Sequence, residues 1–223
     1  MSCKVYLIRH GETSWNSLMK FQGQTDIPLS DQGRRQAELL SRRLAGEKFT
    51  ACYASDLVRA YETAKIVAAR HTLAVQKIPS LRELNFGVWE GLTAADIKKS
   101  YREEVKQWWK SPLTTRIPGG ETLAEMVTRA MAALKTIVGS HREGNVLVVS
   151  HGGAIRSIVG SVLGMDLNQY WRLKLDNASL NIVDFPEWEK GILMLFNDCA
   201  HLLDLCGEGH GTRPVPLSAL AAD

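Results

Sequence analysis

Short apolar runs alternate with longer segments of helical periodicity along most of this chain. An apolar run that ends at Gly, Pro or Ser is typical of a strand in the interior of a sheet. Such runs predict strands at residues 4–8, 50–54, 74–78, 145–149, 179–185 and 191–197. The last two flank the short segment 186–190, which indicates a hairpin-like pair near one edge of the sheet.

The segments between these runs carry apolar residues at helical spacing. Ser or Thr precedes most of them, and at Thr93 and Thr122 an acidic residue three positions later completes a capping box. This pattern predicts helices at residues 32–44, 57–69, 93–109, 122–138 and 154–163. Alternating strands and helices predict an α/β fold of three layers, in which a mostly parallel central sheet carries helices on both faces.

The length of 223 residues fits one domain. Between residues 84 and 120 the pattern is irregular and rich in Trp, so we expect a small inserted cap there, within a domain that spans residues 1–206. The last segment, 207–223, is rich in Gly, Pro and Ala, and we expect it to be a flexible tail.

Composition and charge indicate which kinds of partner this protein binds and in which cellular compartment we expect it. Apolar residues make up 45% of the chain, and the net charge of +3 is dispersed without a Lys/Arg run, which argues against nucleic acid as a partner. No apolar stretch approaches the roughly 18 residues of a membrane span, and the run before Arg9 is too short for a signal peptide. The cysteines do not form a disulfide framework. We therefore expect a cytoplasmic protein with reduced thiols.

Two histidines directly follow predicted strands, His10 after residues 4–8 and His151 after residues 145–149. The carboxyl ends of parallel strands meet at one edge of a sheet, where open α/β folds bind ligands. Each histidine precedes a glycine, which allows a ligand to approach the backbone closely. Arg59 lies in the first turn of the helix after another strand, so we expect its guanidinium at the same edge.

Phosphoryl transfer is the chemistry that suits these side chains. A phosphomonoester is close to a dianion at neutral pH, and Arg9 and Arg59 offer paired donors to its oxygens. The helix start after His151, where Gly152 stands, adds backbone amide donors. A neutral His attacks phosphorus, and a second, protonated His stabilises the phosphoryl oxygens. Glu83 follows the third strand and is our candidate acid to protonate the leaving oxygen and then activate water.

Four segments, spread over most of the chain, resemble the motifs of the histidine phosphatase superfamily, also called phosphoglycerate mutase-like, in the family's order. They are Arg9-His10-Gly11-Glu12-Thr13 with Trp15-Asn16, Ser55-Asp56-Leu57-x-Arg59, Glu83-Leu84-Asn85-Phe86-Gly87, and Ser150-His151-Gly152-Gly153. The spacing of four motifs is far more specific than any one of them.

The resemblance implies a role for each matching residue. His10 is the implied nucleophile, Glu83 the proton donor, and Arg9, Arg59 and His151 form the implied phosphate pocket. Further positions that line the phosphate site in relatives match Asn16, Gln22 and Gly23. The resemblance also implies that hydrolysis needs no metal and no organic cofactor.

The segment after Glu83 separates the two activities of this family. Mutases resemble Glu-Arg-His-Tyr-Gly there, whereas this chain has the phosphatase form, Glu83-Leu84-Asn85-Phe86-Gly87. We therefore expect a phosphoric monoester hydrolase that acts on a small phosphorylated metabolite through a phosphohistidine. The resemblance is greatest to the bacterial α-ribazole phosphatase-like and broad-specificity branch, which makes α-ribazole 5′-phosphate a candidate substrate.

Two alternatives remain open. The first is phosphoryl transfer of the cofactor-dependent phosphoglycerate mutase type, and the second is a non-catalytic module that binds a phosphate ligand. The physiological substrate and the oligomeric state, including a homodimer, are also left open.

Two further groups of residues have a less specific pattern. A metal set built from Cys199, His201, Cys206 and His210 fits no familiar zinc spacing, so we expect no metal site there. The indoles of Trp89, Trp108 and Trp109 suit either the wall of a substrate pocket or core packing, and packing is the commoner use.

Overall fold

In the computed structural model, which describes residues 2–203, six strands form one open sheet. The strands are β1 (Cys3–Arg9), β2 (Phe49–Ala54), β3 (Val75–Lys77), β4 (Gly144–Ser150), β5 (Leu180–Phe185) and β6 (Ile192–Asp198). Their order in the sheet is β3-β2-β4-β1-β5-β6. Neighbours pair in parallel from β3 to β1, and β5 pairs antiparallel with both β1 and β6. The predicted, mostly parallel sheet is therefore confirmed.

The register of the central strands determines where the site forms. Arg9 at the end of β1 pairs with Ser150 at the end of β4, so His10 and His151 leave the sheet side by side. On the other side of β4, β2 ends level with it, and Ser55 continues this row. The three loops that carry the expected chemistry therefore start from adjacent strand ends.

Helices cover both faces of the sheet, as expected for three layers. The helices are α1 (Ser14–Ser17), α2 (Asp31–Arg43), α3 (Val58–Ala68), α4 (Ala94–Ser100), α5 (Arg102–Lys110), α6 (Leu123–Ser140) and α7 (Gly152–Val162). Successive strand residues point to opposite faces. Val5 and Leu7 accordingly pack with the core formed by α6 and α7, whereas Ile8 and Leu147 pack with α2 and α3.

The predicted helix from residue 93 to 109 is wrong, because the structure has two helices, α4 and α5, that meet at Tyr101. Charge explains the break: Lys98 and Lys99 occupy the last turn of α4, and Glu103 and Glu104 the first turn of α5. Basic residues stabilise a helix C-terminus and acidic residues an N-terminus, so the sequence favours two separate helix ends here.

A third apolar core lies within the segment 84–120, which is the predicted cap. It joins that segment to the first turns of α6 and α7 and to Tyr170. Trp89 and Trp108 are 0% and 1% exposed, with ring centroids 5.8 Å apart, and Trp109 packs against Trp171. These three indoles therefore serve packing in this third core.

Several sequence expectations concern parts of the chain beyond the described residues. The predicted flexible tail, 207–223, lies outside residues 2–203, and so do Cys206 and His210 of the weighed metal set. Within residues 2–203, no group of three or more His, Cys, Asp or Glu side chains is arranged to hold a metal ion. No helix in the same range has both the length and the apolar character needed to cross a bilayer.

Candidate active site

A cavity of about 610 Å³, its open mouth included, lies at the carboxyl ends of β1, β2 and β4. Most of the residues expected from the sequence line it: Arg9, His10, Asn16, Gln22, Gly23, Arg59, Glu83 and Gly152. His151, the remaining one, is fully buried, and the centroid of its ring lies 5.2 Å from that of His10. The structure thus brings all nine residues to one place.

The imidazole of His10 is held in one tautomer. Its Nδ1 lies 2.6 Å from the carbonyl oxygen of Gly11, and because a carbonyl only accepts, Nδ1 carries the proton and donates. Nε2 is then left with its lone pair. Burial lowers the pKa of His10 well below its usual value, and the charges of Arg59 and Arg9 act in the same direction. His10 is therefore a neutral imidazole at neutral pH, as a nucleophile requires.

His151 is held differently, through its Nε2, which lies 2.8 Å from the hydroxyl oxygen of Ser55. Its Nδ1 is buried and has no hydrogen-bond partner among the described residues. Burial, followed by the charge of Arg59, lowers the pKa of His151 well below its usual value. The protonated form expected from the sequence therefore needs an anion beside it, since negative charge favours protonation.

Two guanidiniums are anchored by backbone carbonyls. Arg59 donates from Nη1 to Thr25 O at 2.9 Å and from Nη2 to Gly23 O at 2.7 Å, and Arg9 donates from Nη1 to Leu175 O at 2.6 Å. The Nε of each is buried without a partner among the described residues. Burial lowers the pKa of both to about 10, which leaves both charged at neutral pH. Both guanidiniums are therefore held in position and still have N–H groups that can donate to a ligand.

Asn16 contributes an amide of fixed orientation. Its Oδ1 accepts from the backbone N–H of Thr13 at 3.0 Å, in a capping box that starts α1, and from Asn177 Nδ2 at 3.3 Å. The oxygen is therefore turned toward these protein donors. The Nδ2 donors are left for the cavity that Asn16 lines.

Hydrogen bonds to the carboxylate of Glu90 connect the loop of Gln22 and Gly23 to the loop of Glu83. Glu90 accepts backbone N–H bonds from Gln24 and Thr25 at 2.9 Å and from Phe86 at 3.1 Å. Gly23 has φ +54°, and a Cβ there would overlap the Glu90 carboxylate. The carboxylate of Glu90 therefore connects the loop of Gln22 and Gly23 to the loop of Glu83. Glycine at residue 23 leaves room for this contact.

Glu83 is half-buried, and both of its carboxylate oxygens accept backbone N–H bonds at 2.9 Å, Oε1 from Leu84 and Oε2 from Gly153. Its own backbone is held by Arg129 on α6, which donates from Nη2 to the Glu83 carbonyl at 2.8 Å and from Nη1 to Arg82 O at 2.7 Å. The candidate acid is therefore oriented through both its side chain and its main chain.

The sequence analysis missed several cavity residues: Lys20, Phe21, Phe86, Gly153, Arg156 and Tyr170. A signal for Arg156 was present, because it lies four residues after Gly152 and hence on the same side of α7. Arg129 was missed as well, since nothing local to α6 indicates that its guanidinium reaches the Glu83 loop.

Comparison with known proteins agrees with these motifs. A model of the histidine phosphatase superfamily (branch 1) matches residues 5–198. Phosphoserine phosphatase 1 of Hydrogenobacter thermophilus is 32% identical over 207 residues, which cover 93% of this chain and 98% of that protein. A protein of Yersinia pestis named as a probable phosphoglycerate mutase, GpmB, is 37% identical over 203 residues, covering 89% of this chain and 94% of that one.

A solved structure, that of the α-ribazole phosphatase from Shigella flexneri, has the same fold. It superposes with a TM-score of 0.80 at 27% identity and covers 87% of this chain and 96% of its own. Because the family match extends from β1 to β6 and includes every strand and loop of the cavity, this chain belongs to branch 1 of the histidine phosphatase superfamily.

Proposed function

We propose that this chain is a phosphomonoesterase that hydrolyses a small phosphorylated metabolite through a phosphohistidine on His10. The observation that carries the proposal is the tautomer of His10, whose Nδ1 donates to Gly11 O and so leaves the Nε2 lone pair unused. An imidazole in this state, beside two anchored guanidiniums, suits attack on a phosphoryl group.

In the first step, the Nε2 lone pair of His10 forms a bond to phosphorus as the bond from phosphorus to the ester oxygen breaks. Arg9, Arg59 and the Nδ2 group of Asn16 hold the phosphoryl oxygens, and Nδ1 of a protonated His151 donates to one of them. Glu83, as the carboxylic acid, gives its proton to the departing oxygen, and the alcohol leaves.

In the second step, Glu83 acts as a carboxylate and removes a proton from a water molecule. The water oxygen attacks phosphorus, the nitrogen–phosphorus bond breaks, and its electron pair returns to Nε2. Inorganic phosphate leaves, and Glu83 holds a proton again, so the cycle closes without any further reactant. The carbonyl of Gly11 supports both steps by accepting from Nδ1, where positive charge develops on the phosphorylated ring.

A rapid alkaline quench, followed by mass spectrometry of the His10 peptide, tests this proposal. During turnover of p-nitrophenyl phosphate, we expect a phosphoryl group on His10 and none on any peptide of His10→Ala, which should be inactive. His71→Gln is a matched control, because His71 lies outside the cavity. Turnover by His10→Ala at the wild-type rate, or turnover with no adduct on wild-type enzyme, would contradict the proposal.

The identity of the metabolite is the finer part of this proposal. Relatives named as phosphoserine and α-ribazole phosphatases support a screen that includes phosphoserine, α-ribazole 5′-phosphate, 3-phosphoglycerate and sugar phosphates. EDTA should leave the rates unchanged if, as we propose, no metal takes part. Release of inorganic phosphate from one or more of these compounds is the expected result.

Phosphoryl transfer between carbons of phosphoglycerate is a second candidate, favoured by the 37% identity to the protein named GpmB. The two reactions differ in the fate of the phosphohistidine, which is either hydrolysed or returned to an acceptor alcohol. Assaying 2-phosphoglycerate formation and phosphate release from 3-phosphoglycerate in one reaction separates them. We expect phosphate release to dominate.

A further inference from the structure

Two cations that line the cavity, Lys20 and Arg156, have no part in the mechanism proposed above, and Lys20 already lies over the ring of Trp15, 5.8 Å from its centroid. Arg156 projects from α7 into the space that Tyr170 and Phe86 also line. Among residues 2–203, its side chain has no hydrogen bond and no ion pair, and its Nε is buried without a partner. Proteins seldom keep a mostly buried guanidinium without a partner, because removing it from water carries a free-energy penalty.

The nearby carboxylates are already engaged elsewhere. Glu83 accepts from the backbone N–H groups of Leu84 and Gly153. Asp176, the other carboxylate whose charge acts on Arg156, uses Oδ2 to pair with Lys174 at 3.0 Å and to accept from Asn197 at 2.9 Å, and its Oδ1 makes no hydrogen bond to Arg156. The donors of Arg156 are therefore free to bind a ligand.

The charges that line the cavity point to the nature of that ligand. Arg9, Arg59, Arg156 and Lys20 are cationic, and Glu83 is the single carboxylate among the lining residues. A phosphomonoester dianion does not neutralise this set, so positive charge remains after the phosphoryl group is bound. A second anionic group on the substrate would neutralise more of it.

Aromatic side chains form part of the cavity wall and indicate what the organic part of the substrate contacts. Phe21, Phe86 and Tyr170 are apolar surfaces of the cavity, and the whole space, with its mouth, is about 610 Å³. Aromatic rings are typical walls for the organic part of a small ligand. The flat fork of a guanidinium binds a carboxylate through two parallel hydrogen bonds, a geometry that fits such a compact ligand.

We propose that Arg156 binds a carboxylate on the organic part of the substrate, so that the preferred substrates are phosphate esters of small hydroxy acids or hydroxy amino acids. This inference rests on the proposed phosphatase function and narrows its substrate class. Arg156 is then a specificity-determining residue, distinct from the guanidiniums that hold the phosphoryl group.

A matched pair of substrates tests the inference. O-phosphoserine and O-phosphoethanolamine share the phosphate ester and the amine and differ only in the carboxylate. We expect wild-type kcat/KM to favour phosphoserine by about tenfold or more, the effect of about one charge-assisted contact. In Arg156→Gln this preference should disappear, mainly through a higher KM, and the loss on p-nitrophenyl phosphate, which has no carboxylate, should be much smaller than the loss on phosphoserine.

Two further variants sharpen the test. Arg156→Lys should keep part of the preference, because it keeps the charge and loses the fork. Arg172→Gln is the matched control, since Arg172 is exposed and does not line the cavity, and it should behave as wild type. The pair 3-phosphoglycerate and glycerol 3-phosphate repeats the comparison without an amine.

The results distinguish this inference from the proposed function itself. Equal loss by Arg156→Gln on all substrates, or equal wild-type rates on both members of each pair, would overturn the inference and leave the phosphatase function intact. If even p-nitrophenyl phosphate is not hydrolysed, the proposed function fails. Calorimetry with His10→Ala still tests Arg156 in that case: phosphoserine should bind more tightly than phosphoethanolamine, and Arg156→Gln should remove the difference.

Discussion

The carboxylate of Glu83 accepts a hydrogen bond from the backbone N–H of Gly153 at 2.9 Å, although the two residues lie 70 positions apart in the sequence. Gly153 lies two residues after His151, in the first turn of α7, so one turn of chain carries both the second histidine and the anchor of the candidate acid. A Cβ at residue 153 would overlap Oε1 of Glu83, so a larger residue there would require the carboxylate to move.

Replacing Glu83 with Gln should have an effect that depends on the leaving group. Gln cannot give a proton to an alkoxide, so we expect kcat/KM for alkyl phosphates to fall by about 10²–10⁴-fold. For p-nitrophenyl phosphate the fall should be much smaller, because nitrophenolate leaves without a proton. The measurement is kcat/KM on both substrate types.

A remote carboxylate provides the control for this prediction. Glu38 lies on the exposed surface of α2, and Glu38→Gln should leave both rates unchanged. Equal losses by Glu83→Gln on alkyl and aryl esters would argue that Glu83 acts only through structure and would remove it from the proton-transfer role.

Gly153→Ala should reproduce part of the Glu83 defect without altering any ionisable group. The added methyl group would displace the carboxylate from the Gly153 N–H, so we expect alkyl phosphate hydrolysis to fall by more than aryl phosphate hydrolysis. Gly139→Ala on α6 is the matched control, because a Cβ there meets nothing within 4 Å. It should keep full activity and raise the free energy of unfolding by about 0.4–1 kcal/mol. Unchanged rates in Gly153→Ala would contradict the anchoring role.

The order and direction of the elements could be predicted from local pattern, because apolar runs and capping boxes are short-range signals. Thr93 and Thr122 both cap helices as predicted. The break at Tyr101 was missed because apolar periodicity continues through it, and only the arrangement of charges around it indicates two helix ends.

Some residues of the site could be predicted from the sequence, and others could not. His10 and His151 follow strands, so the rule about strand ends places them together from the sequence. Arg129 acts over 46 residues in sequence to hold the Glu83 carbonyl, and Tyr170 enters the cavity from a short 3₁₀ segment. Such contacts depend on how α6 and the cap pack, and no local pattern encodes them.

Arg129→Met should destabilise the fold and slow the reaction together. Its guanidinium pairs with Glu121 at 2.6 Å and donates to three carbonyls of residues 80–83. Its removal takes the Arg129 donors from Ser80 O and Arg82 O, while Glu83 O keeps Gln24 Nε2 and Glu121 keeps the Asn85 N–H as donors. We expect a loss of about 2–4 kcal/mol in the free energy of unfolding, together with slower alkyl phosphate hydrolysis.

Arg116 provides a matched comparison for Arg129, because it also pairs with a glutamate near the start of α6. The Arg116 and Glu125 side chains are 55% and 48% exposed, so solvent screens this pair. Arg116→Met should leave the urea midpoint unchanged. Similar midpoints for the two variants would show that the contacts of Arg129 with the Glu83 loop contribute little.

Acid should destabilise this protein through its two cavity histidines. Burial lowers the pKa of His10 and of His151 well below 6.5 in the folded state, whereas both have ordinary values in the unfolded chain. As pH falls below about 6.5, the unfolded chain binds protons that the native state does not, so the free energy of unfolding decreases. Above about pH 6.5 this contribution to the free energy of unfolding is fully present. In the acid range, each histidine lowers the free energy of unfolding by up to about 1.4 kcal/mol for each pH unit of acidification.

Urea titrations of wild type and His151→Asn between pH 5 and 8 measure this dependence. Asn keeps a polar group near Ser55 but cannot titrate, so the variant should lose stability less steeply on acidification, whatever its stability at pH 8. Parallel curves for the two proteins would mean that His151 binds a proton equally well in both states, contrary to its burial. Parallel curves would also remove the reason to expect that His151 needs a bound phosphoryl group in order to be protonated at neutral pH.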